Sequence, residues 1–275
     1  ISALAKQERF YYKNSDEGRQ QILADYQNII DEIDVNLGDA FNIRAKAKVV
    51  VERIPVFKEK TSPRAYYNPP AIDGSRPGKF YANLYDIKAT PKYSMRTLAY
   101  HEAIPGHHFQ VAVAQELESM PLFRKFAPFT AYAEGWALYA ERLAWELGFL
   151  DDPYDNLGRL QAELFRAVRL VVDTGIHSKK WTRQYSIDYM IKNTGMAKSD
   201  VIAEVERYIV MPGQACAYKI GMMKILELRA KSKKFLGKRF NLGEFHAVIL
   251  QNGAVPLDIL EELVDQYIQK KLNSM

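Results

Sequence analysis

Three observations predict a mainly helical α+β fold with a small antiparallel sheet in its N-terminal third. Three short runs of strand character fall between residues 48 and 86. From Ser94 onward, apolar residues recur at helical spacings of three and four. No long linker, internal repeat or low-complexity tract interrupts the 275 residues. A single domain over 1–275 is therefore expected, with a helix and the sheet in 1–92 and helices in 93–275.

The first helix is expected over about Asp16–Ile33, where Ile22, Tyr26, Ile29, Ile30 and Ile33 share a face. Lys48–Ile54 is β-branched, Arg64–Asn68 is aromatic, and Lys79–Asp86 alternates. In the last run Phe80, Ala82 and Leu84 face one way and Tyr81, Asn83 and Tyr85 the other. The turn-dense stretch Asn68–Gly78 separates the second and third runs. Ser94 is placed to cap a helix running to about Glu118, followed by helices over Ala131–Leu147 and Tyr154–Asp173. Further helices are expected over Thr182–Lys192, from Ser199 to Val210, and over Gln214–Lys231. Asn241 with Glu244 forms a capping box for another, and Pro256 opens the last, striped by Leu260, Leu263, Tyr267 and Ile268.

Composition excludes several classes of function. The net charge is +5, but 38 basic residues are interspersed with 33 acidic ones, so no concentrated nucleic-acid face is expected. The densest basic run, Lys231–Lys234 with Lys238 and Arg239, reads as a helix end. Cys216 is the only cysteine, so no disulfide forms within the chain. No apolar run is long enough to span a membrane. The chain begins at Ile1 with a polar stretch that is neither a signal peptide nor a natural start, and it is expected to be a fragment of a longer protein.

The chemistry concentrates in HEAIPGHHFQ, residues 101–110, which holds three of the five histidines beside Glu102. Zinc hydrolases place two histidines one helical turn apart, with a glutamate after the first that takes a proton from the attacking water. Here Pro105 occupies the position of the second histidine. On an unbroken helix His108 lies about 20° from the face of His101 but about 10 Å along the axis, and His107 faces elsewhere. Pro105 removes a backbone donor and Gly106 tolerates unusual dihedrals, so a bulge there can turn His107 into the ligand position. His107 and His108 both stand as the second ligand. A third comes from Glu134, 33 residues after His101, whose small and apolar flanks make an unpartnered charge costly. Gly135 beside it permits a close helix approach. Glu141 is expected to orient a ligand or to pair helices.

HEAIPGHHFQ, AEGWALYAE, RLVVDTGIHSKKWT and MPGQACAYKIG occur in that order, and the chain resembles the DUF885 family of bacterial proteins from about Pro77 to its C-terminus. That family is grouped by likeness with the gluzincin metallopeptidases, so the resemblance implies a gluzincin-like helical metallopeptidase domain corresponding to the C-terminal half of a longer protein. In gluzincins an EGWALY-like segment carries the third zinc ligand, the place of Glu134 here. The resemblance also implies an exported protein, periplasmic or lipoprotein-anchored, whose catalytic half packs against an N-terminal half.

An oxyanion formed on amide hydrolysis needs a donor, and Tyr218 and His177 are candidates because both follow helix-ending glycine breaks. Gln214, Lys219 and Arg169 are candidates to bind substrate amide or carboxylate groups, and Asp173 to orient His177 or a ligand histidine. Asn83 lies on the run preceding the metal helix, which in gluzincins pairs with the substrate backbone. The expectation is Zn2+-dependent hydrolysis of a peptide with Glu102 as general base. A non-catalytic binding or scaffolding module, and a hydrolase of a non-peptide amide or ester, are the alternatives.

Overall fold

The computed structural model describes residues 4, 7–126, 129–196 and 198–274. Helix α1 spans Asp16–Asn36, with Ser15 Oγ accepting from the Gly18 N–H at its start. Its buried face carries Ile22, Tyr26, Ile30 and Ile33, the stripe the periodicity predicts. Strand β1 (Val49–Arg53) follows, then a short helix α2 (Val56–Glu59), β2 (Ala65–Asn68) and β3 (Gly78–Ala82).

The sheet has the order β1-β3-β2 and is mixed rather than antiparallel. β2 and β3 pair antiparallel across the turn-dense stretch, as expected. β1 pairs parallel with β3, Val51 opposite Phe80. β1 and β2 run in opposite senses with β3 inserted between them, and its Phe80 and Ala82 are buried at the centre of the sheet. Phe80 then meets the Tyr26 ring of α1 at 4.9 Å. Gln27 of α1 accepts from the Val51 N–H at 3.0 Å, which occupies a backbone group of the edge strand β1.

β3 ends earlier than the alternation suggests. The Asn83 amide donates to the carbonyls of Glu59, Ser62 and Pro63, drawing the chain out of the sheet. The Asn83 side chain therefore ties down a loop and does not line a cleft, contrary to expectation.

The remainder is helical: α3 (Lys92–Glu102), α4 (His107–Glu116), α5 (Leu122–Lys125), α6 (Thr130–Glu146), α7 (Pro153–Lys179), α8 (Arg183–Thr194), α9 (Lys198–Val210), α10 (Gln214–Leu236), α11 (Leu242–Leu250) and α12 (Leu257–Asn273). The continuous helix expected from Ser94 to Glu118 is thus two helices, and Ser94 sits in the first turn of α3, its hydroxyl donating to Pro91 O. α7 runs through Thr174 and Gly175 instead of stopping before them. The bare Cα of Gly175 packs against the Trp181 indole, and the helix closes one turn later at the left-handed Lys180. Asn241 caps α11 through its side chain, as the capping box predicts, and Thr182, expected as the start of a helix, caps α8.

One apolar core joins α1, the sheet, α3, α4, α6, α10, α11 and α12. A smaller cluster, including Val168, Val172, Ile187, Met190, Val205 and Tyr208, joins α7 to α8 and α9. The tightest crossing in the main core is α6 on α10. There Gly135 and Gly221 face each other, and a methyl group on either would overlap the opposing backbone.

His246 of α11 is fully buried in this core. Its Nδ1 lies 2.7 Å from Ala40 O and its Nε2 2.8 Å from the Tyr139 hydroxyl, an arrangement served by a neutral ring donating from Nδ1. Burial pushes its pKa down to about 3, whereas an unfolded histidine titrates near ~6.5. The unfolded state therefore binds more protons as pH falls below ~6.5, and this part of the stability is lost progressively toward pH ~3. His246→Leu orphans Tyr139 and Ala40 O. Urea unfolding at pH 7 should show it destabilised by about 1–3 kcal/mol, with a shallower loss of stability between pH 6.5 and 4.5 than the wild type.

Candidate metal centre

The centre is built at the break between α3 and α4. At Ala103 (φ −112°, ψ −101°) the backbone leaves the helical region, and α4 resumes at His107 after Gly106. Gly106 is required there, because a Cβ would overlap the carbonyl oxygens of Tyr100 and His101. The freed Pro105 carbonyl accepts a buried hydrogen bond from Trp136 Nε1 at 2.8 Å. Trp136 lies two residues after Glu134, so one contact sets the break against the part of α6 that carries the carboxylate.

This geometry turns His107 toward His101, their ring centroids 4.8 Å apart and nearly perpendicular. Glu134 Oε2 lies 3.2 Å from His107 Nε2 and 3.6 Å from His101 Nε2. One ligand atom from each of these three residues lies within 4.8 Å of the others. Among the described residues this is the one such group of histidine, cysteine or acidic side chains.

His108 is carried elsewhere. It is completely buried, with Nδ1 3.0 Å from the Tyr67 hydroxyl and Nε2 2.9 Å from Ala47 O, and it pins α4 to the sheet. Of the two histidines left open by the sequence, His107 joins the cluster and His108 serves the fold.

Glu141, two turns after Glu134 on α6, accepts from His101 Nδ1 at 2.7 Å and is itself buried. That contact places the proton on Nδ1 and leaves Nε2 facing Glu134 and His107. Burial opposes a charge on His101, but its hydrogen bonds to Glu134 and Glu141 outweigh this and push its pKa up to about 9. Burial likewise acts to raise the Glu134 pKa, and the positive charge and hydrogen bonds of the two histidines overcome it, holding the carboxyl well below its usual range. The three side chains thus form a buried cluster in which the histidines balance the Glu134 charge.

The donor set fits a zinc-type ion: two imidazole nitrogens and one carboxylate oxygen, with a fourth position left to substrate or solvent. Glu134 Oε2 is buried and faces His107 and His101 at 3.2 and 3.6 Å without a well-aligned hydrogen bond, a cost that a metal would remove. Glu102, the last residue of α3, follows His101 in the chain and is buried.

Tyr218 of α10 completes the neighbourhood. Its ring stacks on His101 at 6.2 Å and 18°, and its hydroxyl accepts from Gln214 Nε2 at 3.3 Å. Burial, then the Glu134 charge, raises the Tyr218 pKa, so the hydroxyl keeps its proton. One turn away on the same two helices, a groove of about 440 Å³ opens between Ala131 of α6 and Gln214 and Ala217 of α10.

Several expected site residues are engaged elsewhere. His177 lies on α7 with Nε2 2.9 Å from Tyr208 O, away from the cluster, because α7 does not break where expected. Asp173 accepts from the Gly213 N–H and holds the α9–α10 corner, orienting neither His177 nor His101. Arg169 is buried against Glu204 and the Tyr208 hydroxyl, and Lys219 pairs with Glu163 at 2.5 Å. Gln214 is shared between Tyr218 and Arg207. The residue that sequence reasoning misses is Arg166. Its only advance signal is a second arginine one helical turn before Arg169.

Family and structural comparisons agree with this architecture. The family model described as bacterial protein of unknown function, DUF885, matches residues 1–264, and the chain belongs to that family. The likeness therefore extends over the N-terminal third and is not confined to the stretch after Pro77. A crystal structure titled as a putative lipoprotein from Colwellia psychrerythraea superposes with a TM-score of 0.96 at 49% identity, covering 98% of this chain and 46% of that one. One titled as a putative lipoprotein of unknown function from Shewanella oneidensis gives 0.79 at 23% identity, covering 95% and 48%. The chain thus spans about half the length of these relatives. No curated protein matches it. No helix among the described residues is long and apolar enough to cross a membrane.

Trp136→Phe keeps an aromatic ring but removes the indole N–H, which orphans the Pro105 carbonyl and leaves a small cavity. Denaturant unfolding should show a loss of about 1–3 kcal/mol.

Proposed function

We propose that this DUF885 chain is the metal-binding, catalytic part of a zinc-dependent peptidase of gluzincin type. One observation carries the reading: ligand atoms of His101, His107 and a buried Glu134 converge within 4.8 Å, while Glu141 occupies Nδ1 of His101. A histidine oriented by a carboxylate is what a catalytic zinc site requires of its protein.

In this reading His101, His107 and Glu134 hold the ion, and a zinc ion there supplies Lewis acidity that polarises the scissile carbonyl and lowers the pKa of water. Glu102 acts as general base, accepting the proton of the attacking water and passing it to the leaving amine. Tyr218 donates its hydroxyl proton as a hydrogen bond to the developing oxyanion. The groove between the starts of α6 and α10 offers room for an extended substrate beside these groups. The relatives titled as lipoproteins support an exported site of action.

Metal analysis of the purified protein after zinc supplementation should find one ion per chain. His107→Ala and Glu134→Gln should each lose it, while His108→Ala retains it. A His108→Ala protein that is folded yet metal-free would remove His107 from its assigned role. Glu102→Gln should keep the ion and lose at least about 100-fold of peptide hydrolysis, measured with a peptide library and mass-spectrometric readout. Undiminished turnover in that variant would exclude the mechanism.

A further inference from the structure

Helix α7 carries three arginines, and they are not equally engaged. Arg159 donates to Asn156 and Glu163 at 2.9 Å each. Arg169 donates to Tyr208 at 3.0 Å and to Glu204 at 2.9 Å. Among the described residues Arg166 has no comparable partner. Its Nη1 reaches only the Ala162 carbonyl of its own helix at 3.4 Å, its Nη2 lies 3.8 Å from Glu141, and its Nε is buried without a hydrogen bond. The side chain is 15% exposed, so its fork is largely withdrawn from water but still reached from outside. A guanidinium offers five donors, and leaving them unmet in a mostly buried place is costly.

Arg166 also sits beside the metal centre. Glu141, its distant partner, is the carboxylate that holds His101 Nδ1 at 2.7 Å. The Arg166 guanidinium lies 5.8 Å from the centre of the Tyr218 ring, and that ring stacks on His101. Glu141 meets the fork only at 3.8 Å: its Oε1 is held by His101 at 2.7 Å, and its Oε2 is buried without a hydrogen bond.

The geometry points to Arg166 as the recognition group for a substrate carboxylate, namely the free C-terminus of a peptide. A planar fork with unmet donors matches a carboxylate in two parallel hydrogen bonds. The fork lies on the Nδ1 side of His101 beside the Glu141 carboxylate, so a reach of roughly two or three extended residues at about 3.5 Å each brings a bound chain to the Nε2 side. A peptide held there by its C-terminus presents one of its last amide bonds to the metal ligands. Resting on the peptidase reading above, the site is thereby assigned as a carboxypeptidase. The oxygen of water bonds to the acyl carbon, the C–N bond breaks, and the proton from water passes to the amine of the released C-terminal fragment.

Binding tests this without relying on turnover. Isothermal titration calorimetry is run on EDTA-treated wild-type protein with three probes. These are acetyl-Ala-Ala-Phe with a free carboxylate, the same peptide as its C-terminal amide, and an amidated peptide bearing an aspartate side chain. The free acid should bind at least about tenfold tighter than both amides, a preference that failure of the metal reading leaves untouched. Arg166→Gln should bring the free acid to within about twofold of its amide, and Arg166→Lys should retain part of the preference. Circular dichroism establishes that each variant is folded, and if Arg166→Gln does not fold, the three-probe comparison on the wild type decides alone. No binding of the free acid, equal binding of acid and amide, or full binding of the aspartate amide would overturn the assignment. So would an unaltered preference in folded Arg166→Gln, the result expected if Arg166 merely balances Glu141.

Discussion

The break after Glu102 is the constraint on which the rest of the centre depends. A continuous helix cannot bring His101 and His107 to one point, since six residues of helical rotation send them to different faces. The four residues from Ala103 to Gly106 abandon the helix and restart it, at the expense of backbone groups that then need new partners. Trp136 supplies one for Pro105 O from the neighbouring helix. The α6–α10 crossing at Gly135 and Gly221 brings Tyr218 within stacking range of His101 on the helix facing Glu134. The conformation of the loop and the packing of three helices are therefore one problem with one solution.

Around this break the charges are arranged in layers. Two histidines converge on Glu134, Glu141 backs the first of them, and α7 lays three arginines alongside. Most members of the outer layer are paired at hydrogen-bonding distance, as buried charges must be. The Glu134 oxygen within the cluster, Glu141 Oε2 and the Arg166 Nε beside it, and Arg169 Nη1 are buried without a hydrogen bond. Three of these atoms, on Glu134, Glu141 and Arg166, surround His101, which concentrates unmet polar groups about that imidazole.

The sheet and the second apolar cluster are supports rather than participants. His108 anchors α4 to β2 and to the segment before β1, which holds the restart of the helix in place while its neighbour His107 faces the centre. Asp173 and His177, on the far part of α7, tie the α9 end and the α9–α10 corner, from which α10 starts toward Gln214 and Tyr218. Residues that look catalytic by type are thus occupied in fixing the elements that carry the site.

By itself the sequence determined what local forces decide. The apolar stripe of α1, the caps at Thr182 and Asn241, the inner face of Phe80, Ala82 and Leu84, and the grouping of His101, Glu102 and Glu134 as chemistry-bearing residues are all periodicity, capping or composition. The choice of His107 over His108, the parallel pairing of β1, the continuation of α7 through Gly175, and the unmet fork of Arg166 required the tertiary structure. Each of these depends on a partner distant in the chain: Trp136 for the break, Tyr67 and Ala47 for His108, Trp181 for Gly175, and Glu141 for Arg166. A residue's type and spacing say what it can bind, but only packing says which of its possible partners has already been taken.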